Sequence, residues 1–315
     1  MQIITLAQIK DILPALDLMP AIEAGFVAYS AGQAVVPPVG ELLLDKGEVH
    51  IKYGFLHDEP YYVIKIASGF YGNPQLGLPS SNGLMLLFSQ RTGELVSILL
   101  DEGMLTDTRT AVAGAIAAKY LAPKRVRRIG IVGTGIQARL QLQHLKGVTA
   151  CRDVLVWGRG DAQLSRYRQD MGPLGFTIGT TQDTAEIMDS CNLIVTTTPA
   201  ESPLLEVAGL QRGTHITAVG SDAPHKQELD AAILGRADLV VADSISQCLE
   251  RGEIYQAIEA REIREADLVE LGDVIGGKAK GREDEEQISV ADLTGVAVQD
   301  MQIASSVYKE STING

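Results

Sequence analysis

The run RRIGIVGTGIQARLQLQHL, residues 127 to 145, constrains this chain more than any other. Apolar Val126, Ile129, Ile131 and Val132 lead into Gly133-Thr134-Gly135, and helical spacing takes over from Gln137. That order is strand, tight turn, helix. Gly133 lets the turn fold, Gly135 lets backbone approach a pyrophosphate, and the small Ala138 lets helix pack on strand. The phosphates would sit on the free N–H groups that open the helix, which makes Gly133, Thr134, Gly135, Ile136, Gln137 and Ala138 candidate cofactor contacts. A glycine turn alone is a weak signal. Its place between a strand and a helix is what points to a dinucleotide site.

The rhythm around this turn changes along the chain. Downstream, strands DVLVWG, LIVTTT, HITAVG and LVVAD and a short FTIGT alternate with helices DAQLSRYRQDM and TAEIMDSC. Such alternation predicts a parallel sheet with helices on both faces. Upstream, residues 5 to 30 read as two short helices, the first capped by Thr5. The runs AVVPPVGELLL, EVHIKYGFL, YYVIKIASGF, GLMLLFS and ELVSILLD follow without intervening helices, which predicts a mixed or antiparallel sheet. LTDTRTAVAGAIAAKYLA reads as a helix from about Thr106, stopped by Pro123. GKAKGREDEEQ reads as a solvated surface loop, and the last segment, from about Thr294, as a helix apolar on one face that returns to pack on the first domain.

Composition narrows the partners. A net charge of −13 argues against nucleic acid and anionic membrane. Neither a basic segment ahead of an apolar one at the N-terminus nor an apolar run of spanning length is present, so a cytoplasmic protein is expected. The three cysteines, Cys151, Cys191 and Cys248, share no metal-type spacing and read as reduced packing residues. The five histidines are scattered, and no metal is expected.

Several charged residues stand in apolar surroundings. Alternation puts Lys65 on the same strand face as Val63, where it is either an edge lysine reaching water or a ligand for an anion. Arg109 falls in the first turn of an Ala-rich helix, where the dipole disfavours a cation, so it has either an anionic ligand or a structural salt bridge. Together a lysine and an arginine suit a substrate carboxylate. Asp222 directly follows the strand ITAVGS and is either a crevice residue or a helix N-cap; Val219, Gly220 and Ser221 share its strand end as candidate cofactor contacts. His225 and Lys226 are indistinguishable from surface residues. Thr197, Thr198 and Pro199 follow another strand end and are candidate cofactor contacts too. An acid about twenty residues past the glycines normally holds the ribose 2′-hydroxyl. Gly158-Arg159 stands at that strand end instead, which favours NADP, with Asp161 near enough to keep NAD in view.

These residues sit in longer stretches, VIKIASGFYGNPQLGLPSSNGLMLLFS, LTDTRTAVAGAIAAKYLA, IGIVGTGIQA, ITAVGSDAPHKQELD and DLTGVAVQD. In that order they resemble the ornithine cyclodeaminase/μ-crystallin family across nearly the whole chain. The resemblance implies an α/β protein in which a Rossmann NAD(P)-binding domain (121–293) is inserted in an α+β substrate-binding and dimerisation domain (1–120 plus 294–315). It also implies a homodimer. By the same resemblance Lys65 and Arg109 bind the substrate carboxylate, with Lys65 also catalytic, and Asp222 assists proton transfer at the amine or imine. One departure stands out. Ornithine cyclodeaminases carry an arginine after the PP pair, where this chain has Val39, and Lys52 in VHIKYG could replace the missing charge. The expected activity is NAD(P)H-dependent reduction of a small α-imino acid, such as Δ1-pyrroline-2-carboxylate or Δ1-piperideine-2-carboxylate. Ornithine cyclodeamination, alanine dehydrogenase or iminosuccinate reductase chemistry, and non-catalytic NADP-dependent binding are the alternatives.

Overall fold

The computed structural model describes residues 1–313; residues 314 and 315 of the expected C-terminal segment lie outside them. The chain divides into two compact units, residues 1–109 with those from Val296 onward, and Thr110–Gly295.

The first unit is built on strands β1 (Gln2–Thr5), β2 (Ala34–Val35), β3 (Gly40–Leu44), β4 (Gly47–Leu56), β5 (Tyr61–Gly69), β6 (Ser81–Ser89) and β7 (Leu95–Leu100). Their order is β1-β7-β6-β5-β4-β2, with β3 also on β4. β1 and β7 run parallel and the other pairs antiparallel, so the sheet is mixed. Thr5 caps helix Leu6–Ile12 in a reciprocal box with Gln8. The C-terminal helix, Ala297–Ile313, packs on helix Leu18–Ser30 and on β4 and β5. Its buried Ile303 and Val307 add to a core that holds Ile22, Phe26, Val63, Met85, Leu87 and Leu99.

The division between the units falls at Arg109/Thr110, early in the Ala-rich helix Met104–Leu121, whereas the sequence reading put it between residues 120 and 121, at the helix's end. The reason is packing of the helix's later turns. Gln141 donates to the Thr110 carbonyl at 3.1 Å, and the Arg282 guanidinium donates to the Leu121 carbonyl at 2.7 Å. Arg282 also bonds the Thr214 carbonyl at 3.2 Å, so the charged loop read as purely solvated holds an anchor inside the second unit.

The second unit carries β8 (Ile129–Val132), β9 (Asp153–Trp157), β10 (Thr177–Thr181), β11 (Leu193–Thr196), β12 (Glu201–Leu205), β13 (His215–Ala218), β14 (Gln227–Leu229), β15 (Leu239–Ala242), β16 (Leu268–Glu270) and β17 (Ser289–Asp292). Eight of them form one sheet in the order β10-β9-β8-β11-β13-β17-β15-β16, and every neighbouring pair is parallel. β8, β11, β13 and β17 are buried along their whole length, as strands covered on both faces must be. β12 and β14 pair separately. The sheet is the doubly wound α/β arrangement that the alternation predicts. Among the described residues, no single helix is long and apolar enough to cross a membrane.

Candidate active site

Within the second unit, the glycine turn has the shape that phosphate binding needs. Gly133 takes φ +123°, and a Cβ there would lie 2.6 Å from the Thr197 hydroxyl, so only glycine fits. Gly135 is the N-cap of helix Ile136–Leu145 and offers no side-chain cap. A Cβ on Gly135 would meet nothing within 4 Å, which leaves open space in front of the first-turn N–H groups. An open, uncapped helix N-terminus of this kind suits the pyrophosphate of a dinucleotide. Thr134, Ile136 and Gln137 flank Gly135 in sequence, Ile136 being 52% exposed. The fully buried Ala138 packs helix to strand and accepts a bond from the Tyr167 hydroxyl at 2.8 Å. Gly158 is buried where β9 ends, and Arg159 beside it is exposed.

The neighbouring strand ends are tied together by a residue that sequence reading missed. Fully buried Glu228 accepts from the Thr196 hydroxyl at 2.7 Å, the Thr198 hydroxyl at 2.8 Å and amide at 2.5 Å, and the Gly220 amide at 2.9 Å. One carboxylate thus joins the loop holding Thr197, Thr198 and Pro199 to the one holding Val219, Gly220 and Ser221. A Cβ on Gly220 would strike the Thr198 carbonyl, so the two loops meet only because this residue is glycine. Glu253 in turn accepts from the amides of Glu228 and Leu229 at 2.7 and 3.1 Å. Burial pushes both carboxyls upward, and Glu228 pushes Glu253 further.

Asp222 follows the same strand end but caps no helix. Residues 223–225 form a bend and turn that leads to β14, and the next helix, Ala231–Arg236, is capped by Asp230. The N-cap alternative is therefore corrected. The Asp222 carboxylate instead pairs with Lys226 Nζ at 2.7 Å, and Arg251 donates to its carbonyl at 3.4 Å. Lys226, read as indistinguishable from a surface residue, is 3% exposed, while His225 is exposed.

The first unit gathers the other candidates. β5 lies between β4 and β6, so Lys65 is not an edge lysine; it is 2% exposed and cannot reach water. Asp101 accepts from the Leu105 amide at 2.8 Å, and the helix starts at Met104, so Arg109 stands in its second turn rather than its first. Lys65 and Arg109 converge on Asp300, Nζ at 3.1 Å from one carboxylate oxygen and Nε at 2.9 Å from the other. Arg109 also donates to the Gln299 side-chain oxygen at 2.7 Å. Lys52 faces Lys65 directly across the β4–β5 ladder and is 5% exposed.

Electrostatics in this cluster are strong because it is buried. Burial, then Arg109, and more weakly Lys52, lower the Lys65 ammonium to about 7, against the pull of Asp300. Burial acts to raise Asp300, but Arg109, Lys65 and Lys52 outweigh it and hold the carboxyl below its usual range. Asp300 was not singled out from sequence. Its signal was helix phase: it sits among buried Val296, Ala297, Ile303, Ala304 and Val307, an acid on an apolar face.

A pH dependence follows from Lys65. Between its folded value of about 7 and its ordinary 10.5, the unfolded chain holds more protons, so burial of Lys65 costs most stability below about pH 7 and the cost is relieved as pH rises. If Lys65 receives a carboxylate, that binding runs the other way, because it needs the ammonium. Affinity for a planar carboxylate analogue such as pyrrole-2-carboxylate should weaken roughly tenfold per pH unit above about pH 7, since one pKa unit is ~1.4 kcal/mol. Calorimetric titration across that range checks this; a flat profile would remove Lys65 from carboxylate binding.

The model of the ornithine cyclodeaminase/mu-crystallin family matches residues 2–314. The chain is 42% identical to an uncharacterised cyclodeaminase of Sinorhizobium fredii, over 99% of this chain and 96% of the relative. It is 33% identical to the iminosuccinate reductase of Paracoccus denitrificans, over 92% and 90%. An archaeal alanine dehydrogenase dimer with bound NAD superposes with a TM-score of 0.90 at 33% identity, covering 99% of this chain and 96% of that one. The Thermococcus litoralis Δ1-pyrroline-2-carboxylate reductase, in complex with NADH and L-proline, gives 0.93 at 25% identity, covering 100% and 98%. Matched by the family model over residues 2–314 and by relatives at 42% and 33% identity over more than nine-tenths of its length, this chain belongs to the ornithine cyclodeaminase/mu-crystallin family.

Proposed function

We propose that this family member reduces the C=N bond of a small α-imino acid to the amino acid, using NAD(P)H. Its class is a nicotinamide-dependent oxidoreductase of amino and imino acids; the imine as substrate is our reading. The observation that carries it is the buried Lys65–Asp300–Arg109 cluster, a preformed cationic site for a carboxylate that needs no metal. When bound, the reduced nicotinamide supplies the hydride. Lys65 and Arg109 hold the substrate carboxylate, and Asp300 fixes the orientation of both cations. The Asp222 carboxylate, held by Lys226, accepts the N–H of the protonated imine and stabilises the charge that makes the imine carbon electrophilic. Glu228 keeps the two cofactor loops in register.

The substrate range includes Δ1-pyrroline-2-carboxylate, Δ1-piperideine-2-carboxylate and open-chain imines formed from ammonia and a 2-oxo acid. Ornithine cyclodeamination is the second reading; the S. fredii relative's name favours it and Val39 disfavours it. Initial rates of NADPH and NADH oxidation over that imine panel, beside ammonia release from ornithine, test the proposal. Imine-dependent oxidation of the cofactor is expected; ammonia release from ornithine without net cofactor change would overturn it. We also propose a homodimer, for which the exposed Leu42, Leu43 and Leu44 of β3 offer an apolar surface.

For the cofactor, the exposed Arg159 at the end of β9 favours NADPH. Arg159→Ala should weaken NADPH by about 1.5–3 kcal/mol, the scale of a charged hydrogen bond, and leave NADH nearly unchanged. Fluorescence titration of both cofactors checks this, and an equal loss for both would contradict it.

A further inference from the structure

We propose that Glu253 is a positioning residue for the nicotinamide cofactor, setting through Glu228 and Ser221 the two strand-end loops that receive it. The inference rests on the reading of residues 197–199 and 219–221 as cofactor contacts and extends it to a side chain behind them.

The need for such a residue begins at β14. This strand is three residues long, and its pairing with β12 shifts register along its length. So short a strand fixes its own backbone poorly. Yet its middle residue, Glu228, has to hold one carboxylate against the Thr196 hydroxyl, the Thr198 hydroxyl and amide, and the Gly220 amide. The Gln227 amide donates to the Ala200 carbonyl at 2.8 Å. The next two amides, of Glu228 and Leu229, both turn to the Glu253 carboxyl, one to each oxygen, at 2.7 and 3.1 Å. Two adjacent amides held this way fix the strand in position and in rotation. Ser221, at the strand end that carries Gly220, hydrogen-bonds the same carboxyl.

Glu253 is itself anchored to the parallel sheet. It is the second residue of helix Gly252–Glu259, whose Ile254 amide donates to the Asp292 carboxylate at 2.8 Å. Gly252 takes φ +89°, and a Cβ there would strike that carboxylate, so the helix starts against β17 because this residue is glycine. The contacts therefore run from β17 to Glu253, from Glu253 to β14, and through Glu228 to the loops that follow β11 and β13. Two fully buried acids side by side are a costly way to fasten a strand, and such costs gather at functional sites.

Residue-resolved amide hydrogen exchange on the cofactor-free wild type and Glu253→Gln tests the relay. Glutamine offers one accepting oxygen to two amides, so one tie to β14 is lost. Exchange at the Thr198 and Gly220 amides, which bond Glu228 and not Glu253, should speed up about 3- to 10-fold, the scale of one lost hydrogen bond. The amides of β8 should keep their wild-type rates. Unchanged exchange at Thr198 and Gly220, or equal acceleration in β8, would overturn the proposal, the latter because it marks a general loss of stability.

Fluorescence titration of NADH and NADPH measures the consequence without turnover. Glu253→Gln should weaken both by about 3- to 10-fold and Glu228→Gln by more. The double variant should bind no worse than Glu228→Gln alone, because residues that act through one contact are not additive. Additive losses would overturn the proposal, as would normal affinity in Glu253→Gln beside weakened affinity in Glu228→Gln. Normal affinity in both, with fast exchange at Thr198 and Gly220, would support the relay and defeat the reading of the loops as cofactor contacts instead.

Discussion

Asp222→Asn should lower turnover by roughly 10²–10⁴-fold, the range of a general acid–base contribution, while cofactor affinity barely changes. Asparagine keeps the size of the side chain but carries no charge to stabilise a protonated imine and cannot exchange a proton with it. A helix-cap role predicts survival, because asparagine caps as well as aspartate. The turn after Asp222 removes that role. The substitution also takes the counterion from Lys226, which is 3% exposed, so some loss of stability accompanies it. Thermal melting and NADPH titration on the same sample separate the two effects. A folded variant that binds NADPH normally and turns over at the wild-type rate would show that Asp222 is not part of the chemistry.

The second large effect is on stability. Asp300→Asn strands two buried cations, and breaking a buried pair from one side costs about 3–5 kcal/mol. The two cations respond differently. Lys65 can shed its proton, since burial already lowers it to about 7, whereas an arginine in a protein cannot. The loss should therefore be largest below about pH 7 and shrink above it. Urea unfolding of variant and wild type on either side of that pH measures it. A loss under about 1 kcal/mol at both would mean that Asp300 does not hold the cluster together.

What was legible in the sequence followed from burial geometry. β8, β9, β11 and β13 are central parallel strands, so they read as continuous apolar runs, and the glycine turn marked their register with the first helix. β17 went unread because Ser289–Asp292 is four residues with a polar one at each end, yet it inserts between β13 and β15. β1, equally short, pairs with a strand far along the chain. Lys65 and Arg109 were legible as charges in apolar settings. Asp300, Glu228 and Lys226 carry the same signal, but a lone acid in a helix and charges in SDAPHKQELD look like ordinary surface until tertiary contacts bury them. Their partners lie far away in sequence in two cases: Asp300 meets Lys65 and Arg109, and Glu228 meets Thr196 and Thr198.

The proposed reaction passes hydride from NAD(P)H to the α-carbon of an imino acid held by Lys65 and Arg109. NAD(P)H carrying deuterium at both C4 positions of the nicotinamide, an imino acid from the panel and mass spectrometry of the product test it. One deuterium at the α-carbon of the amino acid and one cofactor oxidised per product formed are expected. Product without deuterium, or no cofactor oxidation with any imino acid, would contradict it.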